Sequence, residues 1–448
     1  APLTKFAQGG ALPYRLDRTK GTFTGLTLQG TQIVQSDLGP VLNLLRAFTD
    51  NDTWFQGSFR QSGLGQLSHQ AVLKSSSLTS ERHVYDFEVR TSGFKGAGFL
   101  QQLRLTFLAD GTALVETEAE PFGAVPSLPR FGFVMHLPGT LDQLEWLGRG
   151  PQDSYPDRKS AMDIGRYKAA VDETFVEYVR PQENGSHEDV RWVRLTDRLG
   201  KGLLIQACGP LAFTASRFTA EQLDSSRHEN GELRKNQPLV PRKDIVFSLD
   251  ARQMGLGGAS CGPGPLQNYI CRPGHMSFAF VIRPASADPR SLVPVVLRPS
   301  IMANDEGRVV IATQTPGAKL SYRINGGAWQ DYASAFALPK GGKVEAKAVR
   351  PGFLESAWSM TLSPMASSLR ESRAGWSVTA SSFEVGEGEP GNALDGDLDT
   401  FWHTQWSGDS PKHPHALTVD MKKAVSVTGV ELVHRQGNPN GRIGRFSL

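Results

Sequence analysis

Residues 85–89 read Tyr85-Asp86-Phe87-Glu88-Val89, apolar and charged side chains in strict alternation, and this run decides the fold class. A period of two sends alternate side chains to opposite faces of a strand, one face toward a core and the other toward water. Working outward, Leu103, Leu105 and Phe107 repeat the pattern, Asp110-Gly111 supply a tight reversal, and Leu114-Val115 resume it. These are antiparallel hairpins. The best helical signal is short: Thr219 as N-cap with Gln222 three residues on forms a capping box, running to about His228. A (β/α)₈ barrel needs roughly 250 residues of strands alternating with amphipathic helices, and no such series is present. The expectation is an all-β chain.

At 448 residues the chain is long enough for about three domains. The Pro-rich run Arg283-Pro284-Ala285-Ser286-Ala287-Asp288-Pro289 reads as a linker, and Ser363-Pro364-Met365-Ala366-Ser367-Ser368 as a second. They predict domains over residues 1–285, 286–365 and 366–448. In the middle one, Leu320, Tyr322 and Ile324 alternate up to Asn325-Gly326-Gly327, and Val344, Ala346 and Ala348 alternate after Gly341-Gly342, with Trp329 as the expected core anchor.

A formal charge of +3 offers no concentrated field to steer nucleic acid or anionic lipid, so neutral partners fit better. The longest apolar runs, such as Phe278-Ala279-Phe280-Val281-Ile282, fall far short of the ~20 residues a membrane-spanning helix needs. Three cysteines, Cys208, Cys261 and Cys271, encode neither a disulfide framework nor a four-ligand zinc site. Ala1 is not followed by a charged and then an apolar segment, so the N-terminus says nothing of location.

Five specific segments follow one another along the first region. They are Arg46-Ala47-Phe48-Thr49-Asp50-Asn51-Asp52; Glu145-Trp146-Leu147-Gly148-Arg149-Gly150-Pro151-Gln152-Asp153-Ser154-Tyr155-Pro156-Asp157-Arg158; Pro181-Gln182-Glu183-Asn184-Gly185; Asp189-Val190-Arg191-Trp192; and Gln253-Met254-Gly255-Leu256-Gly257-Gly258. In these segments and their order the first region resembles the C-terminal domain of family 2 β-galactosidases, which implies a galactose-mutarotase-like β-supersandwich. Read as residues alone, Trp146, Tyr155 and Trp192 are core aromatics, and the Gly-Pro and Glu183-Asn184-Gly185 segments are turns.

Two places acquire a role from the resemblance. The loop after the Asp-Asn-Asp motif reaches the substrate site in family enzymes, which falls here on Thr53, Trp54, Phe55, Gln56 and Gly57. Many relatives carry a tryptophan after Gly257-Gly258 that walls the galactose pocket, and the matching position here is Cys261, a smaller and softer group. In that family both catalytic glutamates and the metal ions belong to the barrel, so this chain alone is expected to be inactive. Its partners would be galactose-containing glycans and N-terminal catalytic domains of the same protein, with oligomeric state left open. Two alternatives stand beside this reading: a stand-alone mutarotase, using a Glu base and acids among His69, His83, His136, His187, His228 and His275, and a pure carbohydrate-binding protein. His228 has a counterpart in the β-galactosidase pattern and reads as structural or pocket-lining.

Pro316-Gly317-Ala318-Lys319-Leu320-Ser321-Tyr322-Arg323 and Lys343-Val344-Glu345-Ala346-Lys347-Ala348 are similar to the Ig-like module of chitobiase-type hydrolases, a spacer. Ala380-Ser381-Ser382, the run Asn392 to Trp406, and His434-Arg435-Gln436 with Asn440-Gly441-Arg442-Ile443 resemble a discoidin or coagulation-factor type C domain of the family 32 carbohydrate-binding kind. That resemblance implies galactose binding by His403, Trp406, Arg435 and Asn440, and a structural calcium held by Asp395, Asp397 and Thr400. The sequence stops at Leu448, so a partial discoidin-like β-jelly-roll is expected. A secreted or periplasmic location follows from the binding module, since such modules tether enzymes to external glycans.

Overall fold

The computed structural model describes residues 12–34, 39–225, 239–291, 296–303, 308–313, 315–338, 341–353, 356–362, 373, 375–395, 400–424, 430, 432, 443 and 447. They fall into two compact units. The first runs to Ser300 and adds residues 313–319 and 348–356; the second comprises 301–312, 320–347 and 357–448.

In the first unit, nine strands form one sheet in the order Asp163–Ala170, Gln143–Gly150, Trp192–Thr196, Gly202–Ala207, Met276–Pro284, Ala113–Phe122, Gly98–Leu108, Arg82–Gly93 and Leu67–Leu78. A second sheet orders Ser186–His187, Ala212–Ser216, Ile245–Gln253, Arg130–Leu137 and Val41–Asn43. The alternation at residues 85–89 turns one face of its strand inward: Tyr85, Phe87 and Val89 are buried, Tyr85 packing on Tyr14 and Phe107, while Asp86 and Glu88 are half-exposed. Rings from the two sheets meet edge to face, Phe99 against Phe131 at 5.4 Å, Phe280 against Phe133 at 5.8 Å, and Trp146 against Phe213 at 5.8 Å. This is the all-β supersandwich expected for the first region.

The reversals follow their chemistry. Gly111 takes φ +88°, its N–H donates to Leu108 O at 3.0 Å, and Asp110 Oδ1 accepts the Thr112 N–H at 2.8 Å. The capping box closes reciprocally, Gln222 N–H to Thr219 Oγ1 at 3.2 Å and Thr219 N–H to Gln222 Oε1 at 3.0 Å, and starts the helix Ala220–Ser225. His228 lies outside the described residues. Trp146, Tyr155 and Trp192 are all buried.

On the other face of the nine-stranded sheet, His275 sits between two carboxylates, Nε2 at 2.7 Å from Glu118 and Nδ1 at 2.5 Å from Glu120. Burial opposes a charge there, but the two carboxylates win and push His275 up to about 9. Burial pushes Glu118 up as well, against the His275 imidazolium that lowers it. A raised folded value means stabilisation that is fully present below the unfolded pKa of about 6.5 and lost as pH rises through about 9. Urea unfolding of wild type should therefore weaken between pH 6.5 and 9, by about 1–3 kcal/mol. His275→Gln should flatten that slope; equal slopes in the two proteins would refute the assignment.

The second unit contains a small sandwich. A three-stranded sheet, Ser300–Ala303, Arg308–Ala312 and Phe336–Ala337, shares a core with a four-stranded sheet ordered Gln330–Asp331, Lys319–Ile324, Gly342–Val349 and Ser356–Leu362. Ile301, Val309, Ile311, Val344 and Ala346 are buried there, with Tyr322 stacked on Phe336 at 4.3 Å. Trp329 does not anchor this core. It is 38% exposed and lies between two cations, Arg323 at 4.9 Å and Lys347 at 4.9 Å from the ring centroid. Asn325-Gly326-Gly327 make the expected turn, and Trp329 follows it onto the solvated face, where cation–π contact replaces burial. Beyond it, Ser377–Ala380 pairs antiparallel with Leu417–Asp420.

Candidate functional site

Arg46 is fully buried, and its guanidinium joins segments far apart in sequence: Nη2 donates to Asp52 Oδ1 at 2.9 Å and Nη1 to Met254 O at 2.6 Å. Asp52 Oδ2 accepts the Thr49 N–H at 2.8 Å, and the short 3₁₀ turn Asp50–Asp52 runs directly into a helix, Thr53–Ser62. Residues 53–57 are thus helical and not the loop expected. The reason is hydrophobic: Phe55 and Phe59, four residues apart, both bury against Phe48 at 5.8 Å, and Gly63 at φ +79° closes the helix. Phe55 therefore belongs to the core. Thr53 and Gly57 are exposed, and Trp54 and Gln56 are half-buried.

Facing the start of this helix is the Met254–Pro265 segment. The Asp157 carboxylate accepts the N–H groups of Leu256 at 2.8 Å and Gly257 at 2.7 Å, while Arg158 Nη2 donates to Gly257 O at 2.6 Å. Gly257 is required twice over: its φ is +60°, and a Cβ there would lie 2.4 Å from Pro265 N. Asn51 spans the gap, donating from Nδ2 to Gly257 O at 3.1 Å and accepting the Ser260 N–H at 3.0 Å. The turn closes on itself through Gly258 N–H to Pro263 O at 2.8 Å and Cys261 N–H to Gly258 O at 3.1 Å. Trp54 reaches the same turn, its Nε1 3.7 Å from where a Cβ on Gly264 would stand. That indole N–H is buried with no hydrogen-bond partner among the described residues. Cys261 is exposed, whereas burial raises the thiol pKa of Cys271 to about 12 and that of Cys208 higher still. Of the residues expected near the sugar, Trp54 and Cys261 thus sit on segments that meet, Thr53 is exposed at the helix start, and Phe55 faces away.

Beneath this region lies a buried ionic cluster. Arg130 binds Glu183 through Nη2 and approaches Asp250 Oδ2 to 3.3 Å through Nη1, and Glu183 Oε2 accepts the Ala47 N–H at 3.3 Å. Burial pushes Asp250 up to about 7 despite Arg130. Sequence reading held Asn51 and Asp157 inside motifs without a role and passed over Arg130 and Asp250, whose one signal was Asp250 closing the mostly apolar run Ile245-Val246-Phe247-Ser248-Leu249. Lys159 Nζ meets both Glu188 at 3.1 Å and Asp189 at 2.9 Å beside a pocket also lined by Asp250, Gln253 and Tyr269.

The five described histidines of the first unit have separate surroundings. His69 bonds Thr91, His83 lies with Tyr14 and Tyr85, His136 pairs with Asp244, and His275 with Glu118 and Glu120. His187 packs between Trp146 at 4.4 Å and Phe213 at 5.0 Å, and its burial lowers it to about 4.

In the second unit, His403 Nδ1 bonds Thr404 O at 2.6 Å, which puts the proton on Nδ1 and leaves Nε2 as an acceptor. Trp406 is 57% exposed, its backbone N–H held by Glu384 Oε2 at 2.8 Å. Arg435 and Asn440 lie outside the described residues. Thr400 Oγ1 donates to Asp395 Oδ2 at 2.6 Å, so two of the three expected calcium ligands are together; Asp397 lies outside the described residues. Among the described residues no group of three or more His, Cys, Asp or Glu side chains could hold a metal. Asp395 and Thr400 alone offer fewer side-chain oxygens than the six to eight ligands that calcium takes.

Comparison with known proteins follows this division. The F5/8 type C domain family matches residues 377–448. A β-galactosidase of Actinobacillus pleuropneumoniae is 29% identical over 263 residues, 58% of this chain and 25% of that protein. One from Priestia megaterium is 27% identical over 252 residues, 54% of this chain and 22% of that protein. One from Arthrobacter sp. (strain B7) is 35% identical over 163 residues, 35% of this chain and 15% of that protein. The chain spans about a quarter of the length of the first two of these relatives. Among solved structures, a galactose 1-epimerase from Lactobacillus acidophilus NCFM gives a TM-score of 0.33 at 13% identity, covering 60% of this chain and 89% of that one. No helix among the described residues is long and apolar enough to cross a membrane. The β-galactosidase small chain family matches residues 8–282, more than half of the sequence and the whole two-sheet sandwich, and the chain belongs to that family.

Proposed function

We propose that the chain is the C-terminal accessory part of a retaining family 2 β-galactosidase that hydrolyses terminal β-galactosides in glycans outside the cytoplasm, secreted or periplasmic. The observation that carries this reading is the meeting of the Trp54 helix with the Gly257–Pro265 turn, inside a region that matches the small-chain family. Those two segments would form one wall of the sugar pocket, with Thr53, Trp54 and Cys261 nearest the substrate, and N-terminal catalytic domains of the same protein would supply both carboxylates and the metal ions. The terminal module would bind galactose-containing glycans through His403, Trp406, Arg435 and Asn440. Its fold would be braced by a calcium ion at Asp395, Asp397 and Thr400.

Cys261 offers the direct test, because an exposed small side chain leaves open a wall that an indole would fill. In the enzyme carrying the catalytic domains, Cys261→Trp should change KM for extended galactosides about tenfold and for nitrophenyl β-galactoside by less than about threefold, one pocket contact being worth about 1–3 kcal/mol. Equal effects on short and long substrates would place Cys261 away from the pocket.

A further inference from the structure

We infer that Asn51 is a positioning residue for the sugar wall: its carboxamide pins the Gly257–Pro263 turn to the start of the Trp54 helix, so that the two segments present one surface. The inference rests on the proposed function. Its geometric basis is the pair of bonds that Asn51 makes to one turn, a donation to Gly257 O at 3.1 Å and an acceptance from Ser260 N–H at 3.0 Å. The orientation of the amide is unambiguous, because a carbonyl can meet only the NH₂ and an N–H only the oxygen.

No other side chain does this. Alanine and serine are too short to reach both groups, glutamine is one methylene too long, and ionised aspartate accepts from Ser260 but repels the Gly257 carbonyl. Protonated aspartate, by contrast, is shaped like asparagine and can donate and accept at once. The remaining ties on this segment act earlier along it: Arg46 holds Met254 O, and Asp157 and Arg158 hold residues 256 and 257. Only Asn51 among the described side chains bonds the backbone of the turn beyond Gly257. Charged and titratable groups facing this point are Asp157, Arg158, Tyr269 and Cys261 across the gap, with Asp50 and Asp52 on its own turn, where Arg180 and Arg46 take up their charge.

The test pairs two readouts in the full-length enzyme, wild type, Asn51→Asp and Asn51→Ala. The first is the rate of Cys261 alkylation by iodoacetamide, followed at the peptide level and normalised to wild type at each pH. Cys261 is the exposed cysteine and rides on the pinned turn. The second is KM and kcat for nitrophenyl β-galactoside.

The expected result for Asn51→Asp is alkylation several-fold faster than wild type and KM several-fold higher at pH 8, with kcat within about twofold. Both should persist at pH 5, where a carboxyl of ordinary pKa about 3.9 is still mostly ionised. Asn51→Ala should be altered at both pH values. Alkylation at the wild-type rate in both variants would overturn the tether, and faster alkylation with unchanged KM would overturn its role in the wall. A wild-type enzyme that cleaves no β-galactoside fails the proposed function instead, while alkylation still reads the tether.

Discussion

Arg130→Met should destabilise the first unit by about 3–5 kcal/mol at pH 8, enough to lower the unfolding midpoint by several degrees, because it leaves two buried carboxylates without their cation. Glu183 and Asp250 are almost wholly buried, and each relies on Arg130 for charge compensation. The remaining contacts are neutral: Ala47 N–H bonds Glu183 at 3.3 Å, and Gln253 Nε2 bonds Asp250 Oδ2 at 3.0 Å. Asp250 is already pushed up to about 7 by burial and by Glu183 and Glu188, with Arg130 and Arg46 opposing. Removing Arg130 raises it further. A carboxyl raised in the folded state binds more protons folded than unfolded, so stability falls as pH climbs from the unfolded value toward the folded one. The loss in Arg130→Met should therefore be smaller at pH 5 than at pH 8. Urea unfolding at both values measures it, and a variant within about 1 kcal/mol of wild type at pH 8 would show that the cluster is not a stabilising device. Adding Glu183→Gln and Asp250→Asn should recover part of the loss, since uncharged amides no longer need the guanidinium.

That cluster marks the boundary of what sequence reading can reach. The strand run at 85–89, the turn at Asp110-Gly111 and the capping box at Thr219 are local patterns, decided by residues a few positions apart, and each has the structure its pattern implies. The helix at 53–62 was hidden because Gly57 and six polar side chains dilute its apolar stripe to Phe55 and Phe59. Its existence depends on Phe48 from outside the segment, a contact that periodicity does not encode. Trp329 misled for the converse reason. A large aromatic is assumed to be core, but Arg323 and Lys347 can cover its faces in water. Asn51, Arg130 and Asp250 were illegible because their partners lie dozens to hundreds of residues away: Asn51 to Gly257 and Ser260, Arg130 to Glu183, Asp250 to Arg130.

Residues 1–448 by themselves should leave nitrophenyl β-galactoside uncleaved, an effect as large as the whole rate enhancement of a glycosidase. Retaining hydrolysis needs an acid and a nucleophile carboxylate about 5–5.5 Å apart with the glycosidic bond between them. Among the close groupings of carboxylates in the described residues of the first unit, three hold a cation between their members: Arg130 between Glu183 and Asp250, His275 between Glu118 and Glu120, Lys159 between Glu188 and Asp189. The third is the closest approach to a catalytic pair. It borders a pocket, and its members are driven apart in acidity, Glu188 raised by burial and Asp189 lowered, against its own burial, by hydrogen bonds from Lys159 and Arg149. Yet one ammonium holds both carboxylates, at 3.1 and 2.9 Å, and so occupies the place between them that a glycosidic bond would need. Turnover by a purified preparation, abolished by Glu188→Gln, would overturn this and make Glu188 the acid. Without such turnover, the proposed β-galactosidase would have to draw its hydrolytic carboxylates from outside these residues.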